Sequence, residues 1–288
     1  MKYKRRDNLT GTAFLLPSSM GVLVFFLLPF GVVMYYSVVN GPKNSNFVFL
    51  DNYRQLFKNP AFLLAAKNTA IFSTAAVALG VVLSLVLALL VESRLPFRGF
   101  FRTVFLSPLM VPVISVVLVT RVAFDFNGAV NSWLGVLGLG GVDWLNTGYS
   151  RWIVMAMFLW KNLGYNMILF IAALNNVPNE VLESAQVDGA GYFRRFFQIK
   201  LRYLSPAILF VGIITLLNSF RIFREVYLLS GQYPYSALYT LQHFMNNTFK
   251  MLDYQKLSSV AIVMSAVITA VLALLFWLES RYGKDVEG

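Results

Sequence analysis

The amino-acid sequence predicts an all-α fold: a polytopic membrane protein with six transmembrane helices. Three observations predict it. The 288 residues are 58% hydrophobic and only 13% charged, far from the mixture that keeps an ordinary soluble domain's surface in water. The apolar residues gather into six stretches of roughly 20, the helix length needed to cross an apolar layer about 30 Å thick with every backbone polar group paired internally. The basic residues favour alternate loops. Four lie in 1–12, three in 92–102, four in 175–205 and two in 279–288, which is 13 of the 24 Lys and Arg. That bias is what cytoplasmic segments show, so the net charge of +11 calls for no nucleic-acid partner.

The first span, 13–39, holds Pro17 and Pro29 and follows four basic residues in MKYKRRDN. It is too long for a signal-peptide core and lacks a convincing cleavage site, so it reads as an uncleaved anchor with a cytoplasmic N-terminus. The second, 71–91, is uncharged and leads into the turn ESRLPFRGFFR with Arg94, Arg98 and Arg102. The third, 103–119, contains Pro108 and Pro112 and continues past Arg121. The fourth, 152–174, is interrupted by Lys161. The fifth is uncharged from Pro206 to Phe220 and continues as RIFREVYLLSG; the sixth, 257–278, is again uncharged. The expected organisation is a cytoplasmic tail 1–12, a transmembrane domain 13–278 with a polar cytoplasmic loop 175–205, and a cytoplasmic tail 279–288. The loop 40–68 runs against this orientation with Lys43, Arg54, Lys58 and Lys67, but an N-terminal basic cluster usually dominates topology.

The polar loop reads as two short helices. Asn175 or Asn176 can cap the first, Pro178 fits an early position that lacks a donor, and Glu180 and Glu183 meet the positive end of the helix dipole. Val181, Leu182 and Ala185 form its apolar side, and Gly189 and Gly191 end it. In the second helix Phe193, Phe196, Phe197, Leu201 and Leu204 recur at helical spacing, opposite Arg194, Arg195, Gln198 and Arg202. An amphipathic helix of this kind can rest on lipid headgroups. The acidic helix before it fits anionic headgroups poorly, so protein contact is the better account of Glu180, Glu183 and Asp188.

Several chemistries are excluded. With no cysteine there is no disulfide framework, and the single histidine, His243, cannot build a two-histidine zinc site. No G-x-x-x-x-G-K-[ST] motif occurs, so any work against a gradient draws energy through another subunit or an ion. No catalytic residue, cofactor or metal is expected. Inside the fourth span Lys161, Asn162 and Asn166 make a polar patch. It reads either as lining for a hydrophilic solute path or as hydrogen-bonding glue between helices. At the end of the fifth, Arg221, Arg224 and Glu225 can form an ion pair that stiffens the helix.

The order Glu183-Ser184-Ala185, Asp188-Gly189-Ala190, then Ile199-x-Leu201 resembles the EAA loop of ABC importer permeases. DNYRQLF at 51–57, LSPLMVP at 106–112, WKNLGYN at 160–166 and FREVYLLSGQYPYSALYTLQHFMNNTF at 223–249 resemble its carbohydrate branch, of the maltose and glycerol-phosphate type. Two positions depart: Ser184 replaces alanine, and Arg202 stands where the family has proline, so a kink expected there is absent or shifted towards Pro206. The resemblance implies a type I ABC importer permease fold and a subunit that performs no chemistry, in the bacterial inner membrane. Leu182, Glu183, Ser184, Ala185, Val187, Asp188 and Gly189 would couple to an ATPase. Lys161, Asn162, Asn166, Asn218, Arg221 and Glu225 would border the path of a sugar. The implied partners are a second permease, two ATPase copies, an extracytoplasmic solute-binding protein landing on 41–60 and 125–148, and membrane lipid. An ion-coupled secondary transporter is the competing class, but no carboxylate lies within an uncharged span. A permease for a non-sugar solute is the nearer alternative.

Overall fold

The computed structural model describes residues 14–41, 46–92 and 98–282, and these are helical almost throughout. The basic N-terminal cluster, Lys43, Arg94, the side chain of Arg98 and the tail beyond 282 lie outside the described residues. Among the described residues six helical stretches are long and apolar enough to cross a membrane: Phe14–Ser37, Pro60–Glu92, Val113–Val136, Ser150–Asn175, Ser205–Ser230 and Tyr254–Arg281. The chain groups into two compact units, one drawn from residues up to 63 and from 245–268, the other from 64–244 and from 269 onwards.

In the first unit, α1 (Phe14–Ser37) includes a π-helical stretch at Leu23–Leu27 and keeps its apolar side chains exposed, as lipid contact requires. Two short antiparallel strands follow, β1 (Val39–Asn40) and β2 (Asn46–Phe47), pairing Val39 with Phe47 and Asn40 with Asn46. The sequence offered no alternation long enough to announce them. Helix α2 (Asp51–Lys58) is fastened to the end of α1. Asn52 donates to the carbonyls of Ser37 and Val39, each at 3.0 Å, and the Tyr53 hydroxyl reaches Ser37 Oγ at 2.8 Å.

The second unit takes in most of α3 (Pro60–Glu92), then α4 (Arg98–Met110), α5 (Val113–Phe124), α6 (Ala129–Val136) and α7 (Ser150–Asn175). The expected third span, 103–119, is therefore divided, and the stretch long and apolar enough to cross a membrane is Val113–Val136, which takes in 125–136 of the segment expected outside it. Pro112 caps α5 with an extended ψ of 139°, because proline has no N–H for the ladder and disfavours helix in the residue before it. Beyond α7 come α8 (Asn179–Val187) and α9, which runs from Tyr192–Arg195 through a π-helical stretch Phe196–Lys200 to Leu201–Tyr203. Then follow α10 (Ser205–Phe220), α11 (Phe223–Ser230), the start of α12 (Leu241–Lys250) and the end of α13 (Tyr254–Tyr282); residues 245–268 of these last two helices and their turn belong to the first unit. The fifth span breaks at Arg221–Ile222, between α10 and α11.

Two apolar clusters hold this unit. One gathers Phe72, Val117, Val154, Phe158, Val226 and Leu229; the other gathers Val91, Met167, Phe170, Leu174, Leu204 and Val211. Along α7 the first cluster ends at Phe158 and the second begins at Met167, and the polar residues 161, 162 and 166 fall between them. Helix α4 packs along α7 at Gly164, where an added Cβ would collide with the Phe105 carbonyl. Close backbone approach at a small residue is how membrane helices gain contact without a hydrophobic driving force.

Candidate functional site

The polar belt of α7 is bonded to the fifth span side chain by side chain. Asn166, 1% exposed, donates to Thr215 Oγ1 at 3.0 Å on α10. One turn back, Asn218 donates to Asn162 Oδ1 at 3.0 Å, while the Asn162 amide donates to the Phe158 carbonyl at 2.8 Å. Past the break, Lys161 Nζ meets Glu225 Oε1 of α11 at 3.2 Å, with the two side chains 17% and 8% exposed. Ser219 adds a 2.8 Å bond to Ser73 on α3. Asn166, Thr215, Ser219 and Ser73 are buried, and a buried polar group left without a partner is costly, so these two links in particular hold the helices together.

Of the six residues expected to border a solute path, five meet around one cleft of about 230 Å³: Lys161, Asn162, Asn218, Arg221 and Glu225, joined there by Arg224. Asn166 lies outside that lining. Glu225 pairs with Lys161 of α7 and, at 3.6 Å, with its neighbour Arg224 on α11. The turn at Arg221–Ile222 brings these charges to the cleft, and irregular backbone at membrane depth is tolerated where it lines a cavity. The sequence signals Lys161 by its depth in a span, but its partner is 64 residues away. Thr215 passes unnoticed as a single hydroxyl in an apolar run.

Beyond the other end of the second apolar cluster, α8 stands out from the spans. Its first turn carries Glu180, and its end is a Schellman motif: the Ala190 N–H donates to the Ala185 carbonyl at 2.9 Å and the Gly189 N–H to the Gln186 carbonyl at 3.1 Å. Gly189 adopts φ 77°, a conformation glycine takes without penalty. Val181, Leu182 and Ala185 are half-buried, whereas Glu183, Ser184, Val187, Asp188 and Gly189 are exposed, Val187 at 88%. The start of α8 differs from the expectation. Asn175 is the last residue of α7 and Asn176 its C-cap, because α7 continues to the end of its span; Pro178 takes the N-cap position without a side-chain bond. Arg195 donates to Gln186 Oε1 at 2.8 Å, joining α9 to α8. The helical run of α9 ends at Tyr203, and Leu204, fully buried, leads into α10 with Pro206 in its first turn.

Near the opposite end of α7 a second cleft, of about 410 Å³, is lined by Lys67, Asn68, Arg151, Tyr235 and Ser236. Asn68 donates to the Ser236 and Tyr239 carbonyls at 2.6 and 3.0 Å, and the Leu241 N–H donates to Thr69 Oγ1 at 2.9 Å, pinning the segment between α11 and α12 onto α3. His243, 0% exposed, completes this clamp. Its Nδ1 accepts from the Thr240 N–H at 3.3 Å and lies 2.9 Å from the Thr240 hydroxyl, and its ring stands edge-on to Phe223 at 4.6 Å. Burial pushes its pKa down from 6.5 to about 4, so the imidazole is neutral.

The family described as binding-protein-dependent transport system inner membrane components matches residues 80–284. The chain is 33% identical over 212 residues to the sn-glycerol-3-phosphate transport system permease protein UgpA of Pectobacterium atrosepticum, covering 71% of each. It is 29% identical over 290 residues to the trehalose/maltose transport system permease protein MalF of Thermococcus litoralis, covering 99% of this chain and 98% of the relative. Its fold is that of a chain in a bacterial ABC transporter involved in the import of alginate, with a TM-score of 0.84 at 24% identity over 98% of this chain and 99% of the other. The protein, with six candidate spans among its described residues, a polar belt and the exposed α8, therefore belongs to the binding-protein-dependent transport system inner membrane components.

Proposed function

We propose that this permease forms half of the translocation path of an ATP-driven carbohydrate importer and couples to the ATPase through the loop 175–205. The observation that carries the coupling assignment is α8 itself. A short helix, closed by Gly189 and exposing Glu183, Ser184, Val187 and Asp188, projects past a span whose end is embedded in an apolar cluster. Leu182 and Ala185, turned partly inward, brace it. A soluble partner pulling on such a rigid piece can move α7 and α10, which is what alternating access needs. The carbohydrate cargo is supported by relatives that are named for trehalose/maltose and for sn-glycerol-3-phosphate transport. The partners are a second permease, two ATPase copies and an extracytoplasmic binding protein, with both termini of this chain cytoplasmic and no catalysis of its own.

Extraction in mild detergent should retain a bound ATPase, and photo-crosslinkers at Ala185 should capture it. Capture of phospholipid alone, with the ATPase present and cycling, would overturn the coupling assignment.

A further inference from the structure

The cleft beside the fifth-span break holds more positive charge than its own carboxylate can answer. Lys161, Arg221 and Arg224 line it against the single acid Glu225. Both Lys161 and Arg224 approach the same oxygen, Oε1; Oε2 is buried and has no hydrogen-bond partner. The Arg224 side chain is 65% exposed and Arg221 is exposed too, so two guanidinium groups present donors to the cleft. Lys161 lies eleven residues along α7, about 17 Å from its start at about 1.5 Å per residue, which is mid-depth for a spanning helix. Cations at that depth are costly unless an anion or water meets them.

The second cleft repeats the pattern. Lys67 and Arg151 line it, and among the described residues lining it none is acidic. Arg151 is oriented by a 3.4 Å bond from Nη2 to Asn68 Oδ1, and Asn68 is itself buried and held by two backbone carbonyls. Helix α7 thus carries one cationic cleft at Arg151 and another ten residues on. The amides of Asn162 and Asn218 and the Tyr235 hydroxyl supply neutral hydrogen-bonding groups beside the charges.

We infer that the cargo is a hydroxylated molecule bearing a carboxylate or phosphate, met first by Lys67 and Arg151 and then by Arg221 and Arg224. This rests on the permease reading above and names the class of solute its path selects. The charged group is recognised by the arginines and the hydroxyls by the asparagines, which separates the two contributions experimentally.

The test uses the full-length chain in nanodiscs of zwitterionic lipid, titrated calorimetrically with glucose, glucuronate and glucose 6-phosphate. A hydrogen bond to a charged group adds roughly tenfold in affinity. Glucuronate and glucose 6-phosphate should therefore bind at least about tenfold more tightly than glucose. That advantage should shrink with added salt and disappear in an Arg221→Gln/Arg224→Gln variant, which should bind all three ligands about equally. These arginines are exposed, so the variant keeps its fold. Equal binding of glucose and glucuronate, with both weakened by Asn162→Ala, would leave the path reading standing and sink the inference about charge. Binding indifferent to every substitution in the cleft would sink both. If nanodiscs containing phosphatidylglycerol abolish the glucuronate advantage, a lipid headgroup is the anion and the inference is wrong. It is equally wrong if the advantage vanishes once the second permease is assembled, since acids of that subunit would then be the counter-charge.

Discussion

Glu225 is one carboxylate facing two cations, and its removal leaves Lys161 with 17% exposure and no counter-charge. Breaking a buried pair from one side costs on the order of 3 kcal/mol, while removing both charges together is often close to neutral. Glu225→Gln should therefore lower the thermal unfolding temperature in detergent, and Lys161→Met/Glu225→Gln should recover most of the loss. A single variant as stable as the wild type would show that the pair contributes little. His243 makes a pH prediction. Its pKa falls from 6.5 in an unfolded chain to about 4 in the fold because burial disfavours the imidazolium. Between those values the unfolded chain binds a proton that the folded chain refuses, so stability is full above pH 6.5 and declines as pH falls towards 4. The clamp on α3 should loosen over that window, read as rising hydrogen exchange at Ser236–Leu241, and His243→Asn should flatten the profile. The sequence marks His243 only as the lone histidine; that its ring is enclosed by Phe223 and Thr240 depends on a packed turn no periodicity reveals.

At the scale of elements, α8 depends on how it stops. A β-branched side chain at Gly189 would have to hold φ 77°, which is unfavourable for any residue with a Cβ. Gly189→Val should re-aim the loop: ATP hydrolysis would continue while uptake into reconstituted vesicles falls severalfold, with membrane insertion intact. Normal uptake would refute the role given to this turn. The glycine stop was legible because few residues tolerate that backbone, and the six spans were legible because lipid permits few alternatives to a long apolar helix. The start of α8 was not. Asn175 and Asn176 resemble caps, but the packing of Leu174 with Phe170 and Leu204 carries α7 through to its end. Pro112 was visible as a disturbance in the third span, and the helix breaks there, with Pro112 extended as the N-cap of α5.

Across the whole molecule, the apolar clusters at either side of the α7 belt are stable surfaces, and the polar residues between them are where a path can open without exposing backbone to lipid. Which of those residues face the cleft was beyond the reach of sequence, since residues 162 and 166 share a face and only the positions of Thr215 and Asn218 separate them. The glycine contact between α4 and α7 has a mechanical meaning. Sliding either helix along the other would carry the Phe105 carbonyl off Gly164 and towards residues that bear a Cβ, so the two are expected to move as a single strut. Freedom to bend is left to the joints at Pro112 and at Arg221–Ile222. Spin labels at Val104 and Tyr165 should hold a constant separation through the ATP cycle, whereas a pair at Val104 and Val119, straddling the proline joint, should change; a shifting first pair would mean that the strut slips.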